Sequence, residues 1–109
     1  MDPPSESFRG WDLWVQGGQF ATHIIHKWPD SAIKVSTKPS VVRKGQWQHV
    51  WINYDGSGKA AGVKLFVNGQ PVATKALKDK LPGTIKTTAP FAIGRRGGGG
   101  SPFTGRVDE

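Results

Sequence analysis

The sequence contains no cysteine, so it can build neither a disulfide framework nor a thiolate metal site, and cysteine usage leaves its redox compartment open. It has no apolar run near the roughly 18 residues of a membrane-spanning helix. Its opening stretch, MDPPSESFRG, lacks the apolar core of a secretory signal, so any export signal is expected outside these residues. No window holds a sustained helical period, which argues against a helical bundle. Acidic residues are few, 8 against 15 Lys and Arg, and the interior ones, Asp12, Asp30, Asp55 and Asp79, stand isolated. Retaining glycoside hydrolysis needs two carboxylates about 5 Å apart, which on one strand means acids at alternating positions. No such cluster occurs, and the neighbours Asp108 and Glu109 point to opposite faces of a strand. The expectation is that the chain is not an enzyme.

What is present in its 109 residues is glycine (15), proline (8) and tryptophan (5), the composition of short strands joined by many turns. The length fits one domain, and neither an internal repeat nor a domain boundary interrupts it. GWDLWVQGGQFATHIIHKW predicts two strands around Gly17-Gly18, a pair suited to the positive φ angles of a tight hairpin. Trp11, Leu13 and Val15 then share one face, with Asp12, Trp14 and Gln16 on the other. The next strand carries large apolar groups on both faces and is expected to be central. AIKVSTK alternates as an amphipathic strand, WQHVWINY is the strongest strand signal, and GVKLFVNGQPV turns at Asn68-Gly69. ATKALKDKLPG is given at most one helical turn, TIKTT and PFAIGRR are read as strands, and GGGGSPFTG as a flexible loop into RVDE. The sum, eight or nine short strands with almost no helix, predicts an all-β, antiparallel β-sandwich of the jelly-roll type.

The formal charge of +7 is enough to attract polyanions at low salt. The lysines are scattered singly along the chain, which favours a solvated surface over a nucleic-acid footprint. Gly56-Ser57-Gly58-Lys59 resembles the tip of a phosphate-binding loop, but position 53 is Asn, Ala60 follows Lys59, and the period-two pattern of GVKLFVNG predicts a strand where such a loop needs a helix. Asp55 to Gly58 is better explained as a strand connection, with Asp55 bonding local amides.

The segments Trp47-x-His49-Val50, Tyr54-Asp55-Gly56-Ser57, Gly62 to Gly69, Pro90-Phe91-x-Ile93-Gly94-Arg95-Arg96 and Phe103-x-Gly105-x-Val107-Asp108-Glu109 resemble the C-terminal half of laminin G-like domains. These belong, with the pentraxins, to the concanavalin A-like lectin and glucanase jelly rolls. RGWDLWVQGGQFATHIIHKWP upstream of WQHVWINYDGSGKAAGVKLFVNG is similar to the laminin G-like module of large planctomycete-type bacterial proteins that also carry c-type cytochrome domains. The resemblance covers essentially residues 1–109 as a single domain. It implies strands before GWDLW and after Val-Asp-Glu that these residues lack, so the fragment alone is expected to be marginally stable or prone to association. It further implies extracellular or periplasmic placement, with catalysis or electron transfer left to other domains of the parent protein.

Three tryptophans, Trp14, Trp28 and Trp51, are candidates to stack on a sugar ring, with His26 and Asn53 nearby in sequence to bond hydroxyls and Arg95 to meet an anionic group. Trp11 and Trp47 are assigned to the core, and His49 to partly buried packing. His23 and His26, three apart on a strand, cannot readily share a metal. The resemblance also brings calcium into view as a cofactor, with Asp30, Asp55 and Asp108 as candidate ligands. The expected function is a non-catalytic module binding carbohydrate, with the charge pointing to an anionic polysaccharide. Its rivals are a structural or protein-docking sandwich with no small ligand and, third, a glucanase-like hydrolase.

Overall fold

Glycines decide where the first hairpin turns: Gly17 and Gly18 take φ angles of 59° and 76°, and a Cβ on Gly18 would lie 1.7 Å from the Pro39 carbonyl oxygen. The computed structural model describes residues 1–96, 100 and 102–108. On either side of that turn run β1 (Gly10–Gln16) and β2 (Gln19–Lys27), followed by β3 (Ser31–Thr37), β4 (Val50–Tyr54), β5 (Val63–Val67), the two-residue β6 (Gln70–Pro71) and β7 (Thr74–Lys80). Asn68 and Gly69, with φ of 50° and 78°, make the β5–β6 turn as the sequence predicts.

Two antiparallel sheets form, one in the order β1-β2-β3-β7 and one in the order β4-β5-β6. The fold is therefore the all-β sandwich that the turn spacing predicts. Phe20, Ile24, Ile33 and Val35 of the larger sheet meet Ala60, Val63 and Leu65 across the core, with Ile52, Tyr54 and Val67 packed at its margin. β2 lies between β1 and β3 and is buried on both faces over most of its length, as its two-sided apolar content implies. Among the described residues no helix is long and apolar enough to cross a membrane.

Several expectations are corrected. Thr74–Lys80 is a strand, not a helical turn, because pairing with β3 along its length outweighs the local preference of its Ala, Leu and Lys residues. Residues 84–88 and 90–96 form no strand. Of the predicted loop GGGGSPFTG, residues 97–99 and 101 lie outside the described residues. Trp11 and Trp47 are not core: they are 49% and 67% exposed. Trp11 sits on the inward side of β1 but β1 is the edge strand, so the indole stacks on Phe91 at 5.7 Å instead of entering the core. Trp47 precedes β4 and belongs to no strand. His49 is exposed rather than packed, its backbone N–H donating to Asn68 Oδ1 at 2.9 Å.

Candidate functional site on the outer face of the larger sheet

Strand register brings together what the sequence separates. Asp12 pairs with His23, His23 with Lys34, and Lys34 with Lys78, so one row of ionisable side chains crosses all four strands on the face turned away from the core. The next pairs on this face are Ala32 with Lys80 and Ser36 with Lys75. Lys75 and Lys78 are an odd number of residues apart and would face opposite ways on a regular strand. Register jumps from Lys34–Lys78 to Val35–Ala76, leaving Leu77 as the extra residue of a β-bulge, and this returns Lys75 to the outer face. Asp79 points the other way and accepts the Ala60 N–H at 2.6 Å. Four lysines thus share a face whose β3 and β7 positions include no acid.

The aromatics of this face pack among those charges. Trp14 stacks on the His23 ring at 5.8 Å, and Trp28 meets the same ring edge-on at 5.4 Å. Lys34 Nζ lies 5.5 Å from the Trp14 ring and 5.8 Å from that of Trp28, and Lys78 Nζ lies 5.8 Å from Trp28. These are cation–π distances, and the lysine stems also cover apolar ring surface. Trp14 Nε1 and, further along, Ser31 Oγ are buried with no hydrogen-bond partner among the described residues.

His23 is fixed from the β1 side. Its Nδ1–H and its backbone N–H both donate to Asp12 Oδ1, each at 2.9 Å, while Arg96 donates to Oδ2 at 3.2 Å. Thr22 Oγ1 donates to the Asp12 carbonyl oxygen at 2.6 Å. Burial pushes the Asp12 carboxyl up, but the hydrogen bonds and charge of His23, with the Arg96 guanidinium, outweigh it and hold the group below its ordinary value. Arg96 also stacks over the Phe8 ring at 5.6 Å, which draws the segment before the glycine run back to the sheet.

Of the six ligand candidates, the structure gathers Trp14 and Trp28. Trp51 and Asn53 lie on the outer face of the other sheet, where Trp51 pairs with Phe66 and Asn53 with Lys64. His26 is engaged structurally: its Nδ1–H donates to the Thr84 carbonyl oxygen at 2.7 Å, and a Cβ on Gly83 would lie 2.4 Å from its ring. Arg95 is exposed, and it is the neighbouring Arg96 that reaches the cluster. Asp30, Asp55 and Asp108 are not gathered: Asp30 stands in the turn after the cis Trp28–Pro29 bond, Asp55 at the β4–β5 connection and Asp108 near the C-terminus. Asp55 Oδ1 accepts the Ser57 N–H at 2.8 Å, and the Ser57 hydrogen bonds hold its carboxyl below the ordinary value. Among the described residues no three His, Asp or Glu side chains converge as a metal site would require.

Sequence reasoning missed His23, Lys34, Lys75, Lys78, Lys80 and Arg96 as members of one site. The alternation of β1 and β2 could have paired Asp12 with His23 through the Gly17–Gly18 hairpin, whereas the lysines needed the β3–β7 register.

A laminin G family model described as the concanavalin A-like lectin/glucanases superfamily matches residues 3–109. No curated protein and no solved structure matches the chain.

Proposed function

The chain belongs to the concanavalin A-like lectin/glucanases superfamily, and from that premise we propose that it is a non-catalytic module that binds an anionic polysaccharide on the outer face of its larger sheet. One observation carries this reading: Lys34, Lys75, Lys78 and Lys80 share that face with Trp14 and Trp28. With the bulge residue discounted, Lys75 and Lys80 span the four intervals from Ser36 to Ala32, about 13 Å of strand at ~3.3 Å per residue. An extended chain of carboxylates or sulfates lying along β7 meets the three β7 lysines in turn, while exposed indole surface receives the apolar face of a sugar ring.

The carboxylates support the non-catalytic part. Asp12 is bonded to His23 and Arg96, Asp55 to its own turn, and Asp79 to the Ala60 amide, so none of the three is paired with a second carboxylate for glycosidic chemistry. On this reading the module works outside the cytoplasm, in an exported bacterial protein of several domains, where polysaccharide lies and where other domains carry any catalysis.

The test is binding to polygalacturonate and dextran sulfate, with neutral dextran as control, for the wild type and for a Lys75→Gln/Lys78→Gln/Lys80→Gln variant. Polyanion binding that weakens at high salt and falls at least about tenfold in the variant is expected. Equal binding by the variant would refute the reading. A protein-docking module is the second reading, favoured by Trp11, Leu13 and Val15, whose side chains stand exposed on the inward side of β1.

A further inference from the structure

We infer that the outer face of the smaller sheet is a second carbohydrate platform, one that takes a neutral pyranose chain. Alternation on β4 turns Val50, Ile52 and Tyr54 toward the core side and Trp51 and Asn53 away from it. β5 does the same, with Val63 and Leu65 buried inward and Lys64 and Phe66 outward. His49 and Asn68 extend this ladder by one pair. The His49 N–H donates to Asn68 Oδ1 at 2.9 Å, and the Asn68 N–H donates to the His49 carbonyl oxygen at 2.8 Å.

The result is three cross-strand pairs in order: His49 with Asn68, Trp51 with Phe66, and Asn53 with Lys64. Phe66 pairs in turn with Pro71 of β6, so an apolar band crosses all three strands, with a polar pair on each side of its β4–β5 part. Trp51 is 57% exposed at the β4 end of the band, and the His49 ring lies 6.3 Å from it. A sugar ring needs this order of groups: a flat aromatic surface under its C–H face, and amide, imidazole or ammonium groups beside it for the hydroxyls. From His49 to Asn53 the platform is about 13 Å long at ~3.3 Å per residue.

Charge separates this platform from the site on the larger sheet. Its three pairs carry one lysine, Lys64, where the other face carries four. A polyanion is drawn to the four-lysine face, and a neutral chain bound by stacking and hydroxyl hydrogen bonds is insensitive to salt. The two faces lie on opposite outsides of the sandwich, so one domain can hold two different chains at once.

The inference does not depend on the polyanion reading, and the experiment keeps the two apart. Cellohexaose, xylohexaose and mannohexaose are titrated into the whole chain at low and high salt, with polygalacturonate as a separate arm. At least one neutral hexaose should bind with an affinity that salt changes less than about twofold. Trp51→Ala should weaken it by about tenfold or more, as for an aromatic anchor. Trp51→Phe should retain part of the binding, and both variants should bind polygalacturonate as the wild type does. Far-UV circular dichroism spectra of both variants that match the wild type exclude misfolding as the cause of the loss. Failure of all three hexaoses to bind, binding indifferent to Trp51, or displacement of the hexaose by polygalacturonate would each overturn the second platform. Loss of polygalacturonate binding in the lysine variant bears on the other face alone.

Discussion

On the four-stranded sheet the outward tryptophans, Trp14 and Trp28, are half-buried among His23, Lys34 and Lys78, whereas on the three-stranded sheet Trp51 stands 57% exposed beside Phe66. Period-two alternation alone made the smaller sheet's face, whereas the larger sheet's face also needs two register shifts, one after Ile25 that admits Trp28 and one at Leu77 that admits Lys75. The difference lies in what the neighbouring strands supply in register. β3 and β7 deliver lysines to Trp14 and Trp28, and β1 delivers a carboxylate that orients the histidine between them. β5 delivers a second aromatic ring to Trp51 and one lysine to Asn53. A tryptophan on a sheet therefore becomes part of a charged site or of a flat platform according to its cross-strand partners, not its own sequence neighbourhood.

The comparison can be broken at the core that both faces share. Phe20→Ala, at a fully buried position, should cost about 3–5 kcal/mol, read as a lowered urea midpoint, and should abolish binding on both faces together. Loss on one face only would mean that the sheets are not mutually dependent.

Asp12→Ala should cost about 1–3 kcal/mol, because it leaves the nearly buried His23 and the Arg96 guanidinium without their shared acceptor. The pH dependence has a definite sign. The folded carboxyl titrates below its unfolded value of 3.8, so its contribution is fully present above about pH 4 and is lost as pH falls through the folded value. Thermal melts from pH 6 to pH 2 should show a steeper acid loss in the wild type than in Asp12→Asn. Parallel curves would remove the ion-paired account of this site.

Lys34→Met keeps a flexible stem and removes the charge over two indole rings. About 1 kcal/mol of stability should go with it, and polyanion affinity should drop while Trp51 platform binding is untouched. The smallest effect sharpens the comparison most. Deleting Leu77 removes the bulge residue but leaves Lys75, Lys78 and Lys80 on one face, so polyanion binding should stay within about twofold of the wild type. A large loss on that deletion would show that the bulge itself shapes the site.

Local features of the fold were legible in the sequence. Gly17-Gly18 and Asn68-Gly69 turn the chain with positive φ as their residue types require, and Asp55 caps its own turn through Ser57. The β1 faces, and those of β2 as far as Ile25, follow from alternation, but a register shift between Ile25 and Lys27 carries Trp28 to the His23 face, where strict alternation from Phe20 and Ile24 would not put it. What escaped depends on partners far along the chain. β7 has helix-forming composition and becomes a strand because β3 offers it an edge, and lysines that look scattered become a row only through that pairing and its bulge. Trp11 looks like a core residue by parity, yet lies on an edge strand. Arg95 and Arg96 are equivalent by composition, and only the return of their segment to Asp12 selects Arg96, 84 residues away in sequence.

The five tryptophans make the most direct measurement available, since each indole N–H gives its own resonance in a ¹H–¹⁵N spectrum, assignable by single Trp→Phe variants. A galacturonate oligosaccharide titrated at low salt should shift the Trp14 and Trp28 indole signals and leave Trp51 in place. A shift of Trp51 alone, or of none of the five, would contradict the assignment of the anionic-polysaccharide site to the outer face of the larger sheet.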